Sequence, residues 1–374
     1  MMNIKPAEIG MAIQEVDTPA LLLDLDAFDY NVKLMSDIVR KLGVTHRPHA
    51  KTHKSPVIAR KQMAAGAVGQ CCQKVGEAEI LVAGGVDDVL VSNQIVGRQK
   101  LDRLAGLACQ ANIGVCVDDH QNIQDINEAA KRFGSQIEVL VEIDIGAGRC
   151  GVSPDAVAVN LAKQISDQSN LTFAGLQAYQ GRAQHIRGYN ERRVAIEKAG
   201  KLVQQTVTLL EQAGLGCPRV TGAGTGTFQF EAQSGVWNEL QAGSYCFMDA
   251  DYGLNLNEQG SYFDDFRNSL FILSTIMSHP SSDRAVLDAG HKATSIDSGL
   301  PVIADLHGIN YVGASDEHGT LVIGADAPSI EIGQKVRLIP GHCDPTVNLH
   351  DWYIGVRNNI VEAIWPVAAR GAVF

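Results

Sequence analysis

Two stretches hold side chains whose types and spacing could do chemistry. The first is HRPHAKTHKSP, residues 46–56, with three histidines, two lysines and an arginine in a chain of formal net charge −11. At its centre lies Lys51. An amine flanked by Arg47, His49, His53 and Lys54 feels other positive charge, which should lower its pKa and make it a nucleophile able to form a Schiff base. The blander alternative is an anion-binding surface loop. The second stretch is LIPGHCDPTVNLHDWYIGVR, residues 338–357. His342 and Asp344 stand two apart, so on extended backbone both face one way and Cys343 the other. Imidazole plus carboxylate is a two-ligand handle for manganese, magnesium, cobalt or zinc, with positions left for water and substrate oxygens. By spacing alone, a buried hydrogen-bonded turn accounts for the same pair. His350 and Asp351 could stand behind it.

Two glycine-rich turns add candidates. VTGAGTGTF places Gly224, Thr225 and Gly226 after an apolar run. Glycines let backbone N–H groups approach a phosphate, and threonine hydroxyls add donors. EIDIGAGRCGV contains Gly146, Gly148 and Gly151, a formal G-x-G-x-x-G dinucleotide fingerprint. Against that use, the following run LTFAGLQAY has no acidic residue at its end to hold a ribose hydroxyl. Arg149 inside this turn could instead bond a planar ring nitrogen; the alternative is a salt-bridging turn residue.

Stepping from these residues to the elements beneath them, strands are expected at 47–50, 68–72, 89–92, 113–117, 137–144, 173–179, 220–224 and 240–247. They are apolar throughout, as when both faces are buried. Helical patterns lie between most of them, as at 122–133, 154–168 and 191–213. Eight such units in a row predict a (β/α)8 barrel, with an open doubly wound sheet as the rival. In a barrel, Lys51 would lie just past a strand's carboxyl end, where barrel enzymes place working residues. After about residue 260 the sequence is β-rich with Gly, Pro, Asp and Asn between runs, which predicts a separate all-β part. The division expected is 27–258 for the barrel, with 1–26 and 259–374 forming the β-strand domain that holds the metal handle.

Composition excludes several classes. Hydrophobic content of 45% and charged content of 20% are those of an ordinary globular chain. No run of about 18 uncharged apolar residues offers a membrane span. The N-terminal stretch lacks an apolar signal core, and the eight cysteines sit at no disulfide-like spacing; both point to a reducing cytoplasm. With an acidic balance and no basic stripe, nucleic acid is not an expected partner.

A lysine after the first strand, an arginine in a later turn and a Gly/Thr phosphate loop match a barrel that binds pyridoxal 5′-phosphate. The chain resembles the D-threonine aldolases and D-3-hydroxyaspartate aldolases, relatives of D-serine dehydratase with the alanine-racemase-like fold. RPHAKTHKSP, CCQKVGEAE, VEIDIGAGRCGV, LQAYQGRAQH, GAGTGTF, ELQAGSYCFMDADY, DAGHKATSIDSGLP and PGHCDPTVNLHDWY carry the resemblance nearly end to end. It implies that Lys51 holds the cofactor as a Schiff base, Arg149 meets the pyridine nitrogen and Tyr179 flanks the ring. Gly224, Thr225 and Gly226 would hold the phosphate with Tyr245 close by, and Gln73 would line the pocket. His342 and Asp344 would bind the metal, manganese or magnesium before cobalt or zinc. His185 would lie near the metal and the substrate hydroxyl. The resemblance also implies a homodimer, each active site lying between one barrel and the partner's β domain.

The implied activity is retro-aldol cleavage of β-hydroxy-D-amino acids, D-threonine to glycine and acetaldehyde or D-3-hydroxyaspartate to glycine and glyoxylate. An arginine against the pyridine nitrogen would keep it unprotonated, while the metal would act as Lewis acid on the β-hydroxyl. The positive stretch around Lys51 would tune its amine and balance phosphate and carboxylate charge. The nearest rival is a dehydratase on D-serine or D-3-hydroxyaspartate. Its family pattern carries a cysteine two residues after the metal histidine, where this chain has Asp344. A pyridoxal phosphate-binding homeostasis protein would resemble the barrel alone and leave the β domain unexplained.

Overall fold

The computed structural model describes residues 5–374. The apolar runs of the first 250 residues become eight parallel strands: Thr45–His46, Gln70–Cys72, Asp88–Gln94, Asn112–Val117, Ile137–Glu142, Leu171–Ala178, Val220–Gly222 and Glu239–Leu240. Each pairs with its neighbour in chain order, and Glu239–Leu240 pairs back with Thr45–His46. The remaining gap is closed by a single parallel bridge, His49 to Cys71, with Ala50 N donating to Cys71 O at 2.7 Å and Cys71 N to Pro48 O at 2.8 Å. The strands therefore run all the way round as a barrel, with helices between them. Aspartates start several of these helices. Asp119 accepts from Asn122 N at 2.9 Å and Asp155 from Val157 N at 2.8 Å, satisfying donors that the first turn leaves free.

Two strands differ from expectation. Residues 47–50 form no regular strand; the first strand is Thr45–His46. Pro48 has no N–H to give a ladder, so pairing shrinks to the one bridge. The last strand ends at Leu240, and the chain turns at Gly243 into the short 3₁₀ helix Ser244–Cys246.

A nine-stranded, largely antiparallel sheet forms the second part. Its long strand Leu270–Ser281 pairs on one side with Ala20–Asp24, which itself lies parallel to Trp352–Arg357. The N-terminal leucine run thus sits inside the later sheet. Asp24 ends this strand and caps the first barrel helix, Leu25–Leu42, accepting from Ala27 N at 3.0 Å. One continuous apolar cluster joins the barrel helices to Leu21, Leu23, Cys343, Val347 and Tyr353. The β-rich part also holds the segment bearing Lys51: Tyr353 Oη donates to His53 O at 2.7 Å and Ala369 N to Lys54 O at 2.9 Å. Among the described residues no helix is long and apolar enough to cross a membrane.

One glycine is required for barrel closure. Pairing between Ile137–Glu142 and Leu171–Ala178 slips by one residue at Ala174, and Gly175 beyond the slip has φ +126°. A Cβ at Gly175 would lie 1.9 Å from Arg219 O, the acceptor of Leu176 N. Gly175→Ala therefore combines a disfavoured φ with a backbone clash. It is expected to cost about 2 kcal/mol or more of stability by denaturant unfolding.

Candidate active site

The carboxyl ends of the barrel strands open into one cavity. His49, Lys51, Gln73, Ser92, Arg149, Tyr179, Gly224 and Thr225 line it, together with Gly243, Ser244 and Tyr252. Lys51, Gln73, Arg149, Tyr179, Gly224 and Thr225 of the expected set are thus brought together.

The charge expected around Lys51 is absent as charge. Arg47 points to the opposite end of the barrel, where its buried guanidinium bonds Asp88 and, at 3.1 Å, Glu239, residues that begin their strands. Burial pushes the His53 imidazole down to about 4. Burial and then Lys51 push His49 down as well, so both rings are neutral at pH 7. Lys54 pairs with the buried Glu77. Lys51 itself meets Asp344, Nζ to Oδ2 at 2.5 Å. Burial alone would depress the amine, but the Asp344 carboxylate overrides this and raises it. The expectation of a lowered Lys51 pKa is corrected: its electrostatic partner comes from residue 344, not from its own stretch.

Around Lys51 the barrel supplies polar groups. Gln73 Nε2 lies 2.9 Å from His49 Nε2, and Ser92 Oγ lies 3.1 Å from the same nitrogen. Arg149 stands with its Cζ 5.6 Å from the centre of the Tyr179 ring, and its Nη2 reaches to 4.0 Å from Glu142 Oε1. The G-x-G-x-x-G turn that carries it does not present its amides to a ligand. Gly146 N and Gly148 N both donate to Asp144 Oδ1, at 2.9 and 3.1 Å, and Gly151 N donates to Asp118. This is a carboxylate-filled turn that aims Arg149.

The Gly224–Thr225–Gly226 loop is braced from behind. Gly226 N donates to Gln184 Oε1 at 3.0 Å, and Gln184 Nε2 donates to Thr227 Oγ1 at 2.7 Å, which donates to the buried Glu231 at 2.8 Å. Side chains at Gly224 or Gly226 would collide with Gln184. Thr225 Oγ1 is buried without a hydrogen-bond partner among the described residues. Tyr245 is not brought to this loop. It is buried in the core against His46 and Phe266, its hydroxyl accepting from Gln62 at 3.2 Å.

His342 and Asp344 do not share a strand. His342 has extended backbone but stands at the N-terminal boundary of the short helix Cys343–Val347, and Asp344 belongs to that helix's first turn, so strand alternation does not relate the two side chains. His342 Nδ1 bonds Asp297 Oδ2 at 2.8 Å, while Asp344 reaches Lys51. Burial would raise the Asp344 carboxyl, but Lys51 and then His342 hold it well below the usual carboxylate range. Both Lys51 and Asp344 belong to one chain, so the carboxylate of the expected metal handle reaches the barrel lysine within a single protomer. His185 ends the 3₁₀ turn Gly181–His185 beside the cavity, its Nδ1 2.5 Å from Asp251 Oδ2 and its ring stacked on Tyr252. His350 bonds Ala293 O at 2.8 Å, away from the pair.

Sequence reading missed Asp251, Asp297 and Ser92. Both aspartates lie within recognised motifs, ELQAGSYCFMDADY and DAGHKATSIDSGLP; an acidic residue there, opposite an expected histidine, was the available signal. Ser92 lies within the strand Asp88–Gln94 and nothing local marks it.

Comparison with known proteins adds the following. A family model described as "Alanine racemase, N-terminal domain" matches residues 23–251, and one described as "Putative serine dehydratase domain" matches residues 269–356. The chain is 48% identical over 370 residues to a 3-hydroxy-D-aspartate aldolase of Paracoccus denitrificans, covering 98% of this chain and 95% of that one. It is 46% identical over 366 residues to a D-threonine aldolase of Arthrobacter, covering 98% and 96%. The crystal structure of D-threonine aldolase from Filomicrobium marinum superposes with a TM-score of 0.96 at 51% identity, covering 99% of this chain and all of that one.

Proposed function

Because the chain belongs to the family of D-threonine and 3-hydroxy-D-aspartate aldolases, built on the alanine racemase N-terminal domain, we propose that it cleaves β-hydroxy-D-amino acids to glycine and an aldehyde. One contact carries this assignment: a lysine that lines the cavity meets a carboxylate of the β-rich part at 2.5 Å. A small molecule can therefore touch both centres at once.

The residues fit pyridoxal 5′-phosphate. Lys51 offers an amine inside the cavity, Thr225 offers a buried hydroxyl lacking a partner, and Arg149 stands beside Tyr179 where a flat ring could rest. Lys51 would hold the cofactor, Arg149 its ring nitrogen, Tyr179 its face, Gly224, Thr225 and Gly226 its phosphate, and Gln73 the pocket wall. The donor set also fits a divalent cation. Asp297 occupies His342 Nδ1, which leaves Nε2 as the ligating nitrogen, and Asp344 is held ionised. No cluster of three such ligands exists among the described residues. Two protein ligands leave positions open, as a catalytic site needs, and the carboxylate favours manganese or magnesium. When bound, the cofactor supplies an electron-accepting ring and the cation a Lewis acid for the hydroxyl.

The chain's own residues do the rest. Arg149, paired among the described residues with no carboxylate closer than Glu142 at 4.0 Å, keeps a proton off any ring nitrogen it faces, because two cations resist sharing a site. His185 takes the proton of the substrate hydroxyl, directly or through one water. The walls formed by Tyr179 and Tyr252 limit water around the breaking bond.

Incubation with D-threonine and with D-3-hydroxyaspartate, after chelation and re-addition of manganese, tests the proposal. Glycine plus acetaldehyde or glyoxylate should form, only with metal restored. Ammonia plus a keto acid would instead identify a dehydratase.

A further inference from the structure

Resting on the base assigned to His185, we propose that Asp251 is the positioning residue that makes this imidazole a base. Asp251 is buried, and its Oδ2 lies 2.5 Å from His185 Nδ1. An ionised carboxylate only accepts, so the ring must present Nδ1–H to it and keep its lone pair on Nε2. The ring has little freedom to turn away. It stacks on Tyr252 with centres 5.7 Å apart and planes at 28°, and Tyr252 lines the cavity.

Asp251 is itself locked. Arg187 Nη2 bonds its other oxygen, and Arg187 Nη1 donates to Asp251 O at 2.7 Å and to Asn255 Oδ1 at 2.9 Å. Asn255 Nδ2 donates to Gln184 O at 2.9 Å, and Gln184 braces Gly226 N. The histidine and the Gly224–Gly226 loop are therefore held by one network. The groups facing His185 are Asp251, Tyr252 and, behind the carboxylate, Arg187. In the reaction, the hydroxyl proton moves to Nε2. The O–H electron pair becomes the aldehyde C=O as the Cα–Cβ pair departs toward Cα, and the carboxylate balances the imidazolium until its proton is passed on, directly or through water, to Cα to complete glycine.

Four variants and one spectrum test this: His185→Gln, Asp251→Asn, their combination, Asp251→Glu, and the ¹⁵N spectrum of wild-type His185 assigned by difference against His185→Gln. His185→Gln should slow kcat by about 10²–10⁴-fold. Asp251→Asn should slow kcat by about 10²-fold while KM, melting temperature and cofactor absorbance stay near wild type, and Asp251→Glu should recover part of the loss. The double variant should be no more than about threefold slower than His185→Gln, because both act on one step. Wild-type His185 should show the Nδ1–H tautomer. If His185→Gln turns over normally, the base assignment itself falls. If it is slow while Asp251→Asn keeps full kcat, or the two losses multiply, the base stands and the role of Asp251 is overturned. Should Asp251→Asn fail to fold, Asp251→Glu and the wild-type tautomer decide, and an Nε2–H ring refutes the inference.

Discussion

Lys51→Ala protein is expected to lose turnover by more than about 10³-fold, as when a covalent nucleophile is removed. Borohydride, which should fix the cofactor to wild-type protein at Lys51, should leave the variant unlabelled. The expectation follows from position. Lys51 is the lysine that lines the cavity, and the nearby Lys54 is tied to Glu77. The loop bearing Lys51 is held from the β-rich part through Tyr353 and Ala369, so its fold does not depend on the amine. The variant should keep its secondary structure. What it loses besides the nucleophile is the cation beside Asp344, and that carboxyl, now held low by Lys51, should climb. Labelling retained elsewhere in the Lys51→Ala chain would relocate the covalent link.

Asp344→Asn keeps the volume and removes the charge. Its manganese-activated turnover is expected to fall by about 10²-fold or more, with manganese affinity falling in parallel by titration. Cofactor absorbance should remain. The same substitution removes the carboxylate that raises Lys51, so its amine should titrate lower than in wild type. These two effects separate two roles. A variant that binds manganese normally but has an altered amine shows Asp344 to be only a counterion. Loss of both shows one carboxylate serving both centres.

Much of this was legible from local pattern. The apolar runs marked the barrel strands because both faces are buried, and the Gly/Thr loop and Arg149 stood at strand ends. What could not be read was direction. HRPHAKTHKSP looks like a knot of charge, yet Arg47 faces the far end of the barrel, two histidines are neutralised by burial and Lys54 has its own carboxylate. Linear density of charge says nothing about which side of a wall each group lies on. The electrostatic partner of Lys51 is 293 residues away, and that of His342 is 45 residues away. The strand alternation expected of His342 and Asp344 failed because a helix begins at Cys343 and takes Asp344 into its first turn. Tyr245, inside the recognised motif ELQAGSYCFMDADY, packs in the core against His46 and Phe266.

The leucine strand Ala20–Asp24 has neighbours that begin at Leu270 and Trp352. On the ribosome it is made among the first segments, and its companions among the last. The barrel can close while Leu21, Leu22 and Leu23 still wait unpaired, an apolar ribbon open to mispairing or to a chaperone. A message cut short before codon 352 would therefore yield more than an inactive fragment: it would release a chain with an adhesive edge.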